Sequence, residues 1–117
     1  MIAIVDDDES LREAIARLLD ACGFATQVFA SAEAFLDCRT ANAAACLVLD
    51  INLTGMSGLE LHQRLKAEGA DTPVIFITGA DDDEIRRQAT EADCVACLRK
   101  PFAPNLLIGA INKAIGE

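Results

Sequence analysis

The segment Ile2-Ala3-Ile4-Val5-Asp6-Asp7 places four apolar residues directly before two acids. A short apolar run of this kind predicts a buried β-strand. From Asp8 onward the apolar residues recur at three- and four-residue spacing, which is the pattern of one helix face. Those residues are Leu11, Ala14, Ile15, Leu18, Leu19 and Cys22. The chain therefore begins with a predicted strand and a predicted helix, which Asp8 caps and Gly23 ends.

The same alternation continues to the end of the chain. Further apolar runs predict strands at 25–29, 46–49, 73–78 and 95–99. Helices are predicted after Ser31, after a loop that contains Gly55 and Gly58, at about 81–91, and from Pro104 onward. Five strands that alternate with five helices predict an α/β fold, with a parallel sheet covered by helices on both faces.

The composition is typical of one globular domain. The chain has 117 residues, of which 52% are hydrophobic and 25% are charged. Its longest apolar runs have about seven residues, as at 43–49, whereas a membrane span needs roughly 20. The N-terminus has neither a basic start nor a cleavage site, so we expect neither a secretory signal nor membrane contact.

The charge is strongly acidic. The net charge is −9, from 10 Lys and Arg against 19 Asp and Glu. The basic residues are scattered and form no patch, so we expect no direct contact with nucleic acid. Local clusters of Asp in such a chain instead indicate binding of a hard divalent cation.

The five cysteines are odd in number and irregular in spacing. Several lie in apolar runs, so we expect buried, reduced thiols of a cytoplasmic protein. Cys94 and Cys97 form a C-x-x-C pair, which leaves a zinc or redox site as an alternative. Because no second pair exists and His62 is the only histidine, two small residues at the entrance of a strand are favoured.

Polar residues follow four of the predicted strands. They are Asp6 with Asp7, Asp50, Thr78 and Lys100. Each alone has an ordinary explanation, such as a solubilising strand end, an Asx turn or a solvated lysine. Because ligands of parallel sheets bind beyond the carboxyl ends of the strands, their joint occurrence predicts one site. Three carboxylates would repel one another there, and Mg²⁺ would relieve that repulsion.

The chain resembles the receiver domains of two-component response regulators, over essentially its whole length. The matching segments are Val5-Asp6-Asp7-Asp8-Glu9, Leu47-Val48-Leu49-Asp50, Gly55-Met56-Ser57-Gly58-Leu59-Glu60-Leu61, Pro73-Val74-Ile75-Phe76-Ile77-Thr78-Gly79 and Lys100-Pro101-Phe102. The resemblance implies a flavodoxin-like three-layer α/β/α sandwich with strand order 2-1-3-4-5. It also implies that residues 1–117 form a single receiver domain.

The resemblance further implies a role for each matched polar residue. Asp50 would accept a phosphoryl group, Thr78 would bond one of its oxygens, and Lys100 would pair with it, with a cis peptide before Pro101. Mg²⁺ would be held by Asp6, Asp7, Asp50 and the backbone carbonyl of Asn52. The chain would be a signalling switch that catalyses only its own phosphorylation and dephosphorylation.

The partners implied are a sensor histidine kinase or a phosphotransfer protein, and an output domain or effector outside this chain. The chain ends with its last predicted helix, so we expect no output domain within it. A homodimer would form through the fourth helix, the fifth strand and the fifth helix, whose surface would switch on phosphorylation.

Three features depart from the family pattern. Cys97 stands where Tyr or Phe is usual, so we expect no aromatic switch at this position. Thr54 replaces a common Pro, which favours a more mobile loop, and Glu91-Ala92-Asp93 lacks the usual Gly. In the fourth helix Ile85 is the one large apolar residue, so we expect this helix to be the most mobile.

Two other functions remain open. Asp50-Ile51-Asn52-Leu53-Thr54 is similar to the D-x-D-x-T motif of haloacid-dehalogenase phosphatases. However, Asn52 lacks the second carboxylate, which serves there as the general acid, and the chain is short for that fold. The other alternative is an interaction module with the receiver shape that is never phosphorylated; the intact acidic set argues against it.

Overall fold

The computed structural model describes residues 1–38, 44–79, 83–91 and 94–116, apart from the side chains at 85, 86, 89 and 90. Its strands are β1 (Ile2–Val5), β2 (Thr26–Phe29), β3 (Cys46–Asp50), β4 (Val74–Thr78) and β5 (Ala96–Arg99). Its helices are α1 (Glu9–Ala21), α2 (Ala32–Asp37), α3 (Gly58–Ala67), α4 (Asp83–Glu91) and α5 (Pro104–Ala114). All strand pairs are parallel, in the order β2-β1-β3-β4-β5, which confirms the predicted fold.

Helices cover both faces of the sheet, so the domain has three layers. Every residue of β1, β3 and β4 is buried, because these strands have neighbours on both sides and helices above and below. On one face the core includes Phe35 of α2 and Leu61 of α3. On the other face it includes Leu19 of α1 and Leu107 of α5. Among the described helices, none is long and apolar enough to cross a bilayer.

The helix starts follow from capping side chains. The carboxylate of Asp8 accepts the backbone N–H of Leu11 at 3.3 Å, so the predicted cap of α1 is confirmed. Ser31 and Ser57 accept in the same way at the starts of α2 and α3, at 3.0 and 3.1 Å. Pro104 is the first residue of α5, where its missing N–H costs no helical hydrogen bond.

Some predicted boundaries were wrong. Gly58 is the first residue of α3 and not part of the preceding loop. An added Cβ there would lie 2.3 Å from the carbonyl oxygen of Asp50, so only glycine lets α3 start this close to β3. Strands β2, β4 and β5 begin one residue later than predicted. For β4 this follows because Pro73 has no N–H to donate to the ladder.

The five cysteines, all within the described residues, form no disulfide, but the prediction that they are buried holds only for Cys46. Cys22 is exposed because it caps the C-terminus of α1, and Cys38, Cys94 and Cys97 are half-buried. Apolar sequence neighbours therefore do not establish burial, which is complete for Cys46 in the central strand β3 and only partial for Cys97 in the edge strand β5. The predictions made for Ile85 and for Ala92-Asp93 lie outside the residues whose side chains are described.

Candidate functional site

The polar residues that the sequence singles out meet at one edge of the sheet. Asp6 and Asp7 directly follow β1, Asp50 is the last residue of β3, Thr78 is the last of β4, and Lys100 directly follows β5. The parallel register brings these strand ends level with one another, since Val5 pairs with Leu49, Asp50 with Ile77 and Thr78 with Arg99. A crevice at the carboxyl edge is the usual ligand site of such sheets.

Lys100 lies between two buried carboxylates. Its Nζ is 3.1 Å from Oδ2 of Asp50 and 3.3 Å from Oδ2 of Asp6. Asp6 and Asp50 are only 1% and 2% exposed, whereas Asp7 is exposed. One carboxylate oxygen from each of the three acids lies within 4.8 Å of the others. The site therefore holds three carboxylates against one ammonium group.

This arrangement raises the pKa values of Asp6 and Lys100. Burial raises the pKa of Asp6, and the charge of Asp50 raises it further, while the Asp8 N–H and Lys100 oppose the shift. Burial alone would lower the pKa of Lys100. The hydrogen bond and charge of Asp50, together with the charge of Asp6, reverse this and raise that pKa above its ordinary value. Lys100 is thus firmly held as a cation.

Local backbone contacts fix the orientation of both buried carboxylates. Oδ1 of Asp6 accepts the N–H of Asp8 at 2.9 Å, and Oδ1 of Asp50 accepts the N–H of Asn52 at 3.0 Å. In each case Oδ1 is bound by the residue two positions later, and Oδ2 faces Lys100. The two acids therefore present one oxygen each toward the shared crevice.

The residues present fit a hard divalent cation. Oδ2 of Asp6 is buried and accepts no hydrogen bond from the described residues. Its nearest cationic partner is Lys100 Nζ at 3.3 Å, an ammonium group that it shares with Asp50. A buried oxygen without a donor is costly unless another ligand satisfies it. Asp6, Asp7 and Asp50 supply the oxygen ligands that Mg²⁺ prefers.

Thr78 is fully buried and is oriented by a side chain that sequence reasoning missed. Its hydroxyl donates to Oδ1 of Asn52 at 3.0 Å. The sequence assigned Asn52 only through its backbone carbonyl, because the family pattern places that carbonyl at the metal. An asparagine side chain can both donate and accept hydrogen bonds, and this was the available signal that Asn52 also acts through its side chain.

Two further residues contact the site. The backbone N–H and the hydroxyl of Thr54 both donate to Oδ2 of Asp7, at 3.4 and 3.2 Å. Arg12 on α1 donates through Nη1 to the backbone carbonyl of Asp6 at 2.9 Å. No spacing in the sequence indicated Arg12, whereas Thr54 had been noted only as a substitute for Pro.

Cys97, which stands where the family usually has Tyr or Phe, lies beside core residues. Cys97 is half-buried, pairs in register with Phe76 of β4, and packs against the apolar cluster on that face. The buried ring of His62 meets Phe76 edge-on at 5.4 Å between ring centres. Among the described residues, the only convergence of three metal-ligating side chains is at the three acids, so Cys94 and Cys97 complete no such group.

Comparisons with known proteins give a consistent result. The family model described as "Response regulator receiver domain" matches residues 2–112. The response regulator protein TodT of Pseudomonas putida is 37% identical over 115 residues, which are 98% of this chain and 51% of TodT. The transcriptional regulatory protein FixJ of Bradyrhizobium diazoefficiens is 35% identical over 116 residues, covering 99% of this chain and 57% of FixJ.

The solved structures agree with the sequence relatives. The crystal structure of FixJ-N superposes with a TM-score of 0.88 at 36% identity, covering 97% of this chain and 91% of that one. The chain thus spans little more than half the length of the curated relatives TodT and FixJ.

Proposed function

The chain belongs to the response regulator receiver domains of two-component systems, and on that premise we propose that Asp50 accepts a phosphoryl group. The observation that carries the proposal is the cluster of Asp6, Asp7 and Asp50 within 4.8 Å, with Lys100 Nζ 3.1 Å from Asp50. The donor would be a phosphohistidine of a sensor kinase or of a phosphotransfer protein. The domain is then a signalling switch and not an enzyme that acts on other molecules.

The chemistry is an in-line transfer to a carboxylate. A carboxylate oxygen of Asp50 attacks phosphorus, an O–P bond forms, and the bond from phosphorus to the donor nitrogen breaks. The donor imidazole keeps the electron pair, and the product on Asp50 is a mixed anhydride. Asp50 needs no general base, because a carboxylate attacks phosphorus without giving up a proton. Water later attacks phosphorus and restores the carboxylate.

Lys100 and Thr78 assist through charge and hydrogen bonding. In the proposed mechanism, Lys100 moves its pairing from Asp50 to the phosphoryl oxygens, which carry more charge in the transition state. Thr78 exchanges its hydrogen bond to Asn52 for a bond to a phosphoryl oxygen, and that exchange is the conformational signal. Because Cys97 has no ring to rotate, the signal passes along the segment after β4 to α4.

Asp6, Asp7, Asp50 and the carbonyl of Asn52 would hold Mg²⁺, which supplies neutralisation of the phosphoryl charge when bound. The unsatisfied Oδ2 of Asp6 and the all-oxygen donor set support this assignment. Asp50→Asn would remove the phosphoacceptor, and Asp7→Ala would remove a metal ligand that is not itself phosphorylated.

The partners and location complete the proposal. Receiver domains of response regulators work with histidine kinases and output domains, and the relative FixJ is a transcriptional regulatory protein. We extend this to an output domain or effector that responds to α4, β5 and α5, and to homodimer formation through that surface. The five cysteines, all of which the structure describes, form no disulfide, which supports a cytoplasmic location.

The proposal is tested by the intact mass of the protein after incubation with acetyl phosphate or phosphoramidate and Mg²⁺. One phosphate should be added, and chelation with EDTA should prevent the addition. Asp50→Asn should not be modified. Asp71→Asn is the matched control, because this exposed carboxyl lies just before β4 at the opposite edge of the sheet, and it should be modified normally.

Two results would contradict the proposal. An unchanged mass with every donor would favour the interaction module that is never phosphorylated. Continuous release of phosphate from small phosphate esters would favour the phosphatase alternative. In this structure Asn52 accepts a hydrogen bond from Thr78 where that alternative needs a carboxylic acid, which argues against it.

A further inference from the structure

We propose that Thr54 is a positioning residue for the metal site, which it sets by fixing the side chain of Asp7. This inference rests on the proposed function, because it concerns how the magnesium ligands are arranged. Asp6 and Asp50 are each oriented by a backbone N–H two residues later and by Lys100. Asp7 is exposed, and in the described part of the chain its orientation is set by Thr54.

The two carboxylate oxygens of Asp7 have different partners, Thr54 for Oδ2 and, in our proposal, the cation for Oδ1. Both donors of Thr54, the backbone N–H and the hydroxyl, bind the same atom, Oδ2. Oδ1 is then directed away from Thr54 and is the oxygen we assign to the cation. Oδ2 of Asp6 is buried and accepts no hydrogen bond from the described residues, and the one ammonium near it is shared with Asp50, which independently indicates that a further ligand belongs between these acids. Thr54 thus completes a site in which all three carboxylates are fixed before the cation binds.

Thr54 stands where a proline is common in this family. A proline at this position would have neither an N–H nor a hydroxyl, so neither hydrogen bond to Asp7 could form. Family members that carry the proline therefore cannot form these two hydrogen bonds. Because both residues are exposed and the bonds are 3.2–3.4 Å long, they add little to folding stability. Their effect should appear in cation affinity instead.

The expected effect follows from rotamer freedom. Without its hydrogen bonds to Thr54, the Asp7 side chain can occupy about three χ1 wells, of which one presents Oδ1 to the cation. Thr54→Val removes the hydroxyl and keeps the longer bond from the backbone N–H, so its dissociation constant for Mg²⁺ should rise by up to about threefold. Thr54→Ser keeps both donors and should restore affinity close to that of the wild type. Isothermal titration of the full chain with MgCl₂ measures these constants without any phosphoryl donor.

Two controls separate positioning from general loosening. Thr26→Val removes a similar exposed hydrogen bond, from the Thr26 hydroxyl to Asp20 at 2.9 Å, and should leave Mg²⁺ affinity unchanged. Glu33→Ala removes the carboxylate that accepts the N–H of Met56, so it loosens the same loop without touching Asp7. It should also leave the affinity unchanged.

The outcomes distinguish this inference from the function on which it rests. If the wild type does not bind Mg²⁺, the proposed metal site is wrong and the inference falls with it. If the wild type binds but Thr54→Val binds equally well or more tightly, the metal site stands and the role of Thr54 is refuted. Equal weakening by Glu33→Ala would show that loop order, and not Asp7 orientation, sets the affinity.

Discussion

Gly58 and Gly109 should respond oppositely to the same substitution, glycine to alanine. Both lie in helices, Gly58 as the first residue of α3 and Gly109 within α5. Gly109 is exposed, and nothing lies within 4 Å of a Cβ added to it. Gly58 is buried, and its added Cβ would lie 2.3 Å from the Asp50 carbonyl oxygen and 2.9 Å from Cα of Ile51.

The magnitudes follow from these contacts. At Gly109 the alanine gains helix propensity alone, so the free energy of unfolding should rise by about 1 kcal/mol. At Gly58 an ordinary contact needs at least 3.4 Å, so α3 or the end of β3 must move by roughly 1 Å. Since the opposing atoms are backbone, no side chain can rotate away, and we expect a loss of about 3 kcal/mol. The difference corresponds to about 16 °C in Tm, at about 4 °C per kcal/mol.

The assay is urea unfolding followed by far-ultraviolet circular dichroism in EDTA. The chain has no Trp and no Tyr, so intrinsic fluorescence offers no convenient alternative. A stability of Gly58→Ala within about 0.5 kcal/mol of the wild type would refute the close approach of α3 to β3. A loss in Gly109→Ala would instead show that the α5 backbone is not helical there.

Two further predictions concern buried ionisable groups. Lys100→Met should lower the free energy of unfolding in EDTA by about 3 kcal/mol, because Asp6 and Asp50 lose their counter-charge. In urea unfolding, adding Asp50→Asn to this variant should restore part of the lost stability. Lys113→Met, at an exposed lysine, is the control and should change the stability little. Burial raises the pKa of Cys46 to about 11, so its thiolate is disfavoured in the folded state. Stability is full below the unfolded pKa near 9 and falls as pH rises to about 11, by up to about 3 kcal/mol more than in Cys46→Ala. Parallel pH-dependent slopes for the two proteins would contradict this.

The parts of the fold that could be predicted from sequence are those fixed by local pattern. The apolar runs ending at Val5, Asp50, Thr78 and Arg99 identified the strands, and parallel pairing then required their polar neighbours to meet at one edge. The cap at Asp8 was also readable, because a capping side chain acts on a residue three positions away.

The parts that could not be predicted depend on contacts between distant segments. The need for glycine at position 58 comes from the close approach of α3 to the carbonyl oxygen of Asp50, and no local sequence pattern predicts that approach. The bonds of Thr54 to Asp7 and of Thr78 to Asn52 join separate loops, and their geometry exists only after the strands are aligned. Cys22 was expected to be buried because it fits the apolar stripe of α1, but it is the C-cap residue of that helix and is exposed.

The position of Lys100 has a consequence for the order in which the sheet assembles. Pairing of β1 with β3 brings Asp6 and Asp50 together, but their only close ammonium group in the described chain arrives with β5, at the far end of the sequence. A folding intermediate that lacks β5 would carry two adjacent carboxylates without compensation, and it would be correspondingly disfavoured. Docking of β5 should therefore be cooperative with the pairing of β1 and β3. This cooperativity disfavours partly folded forms of a sheet whose strand pairs are distant in sequence.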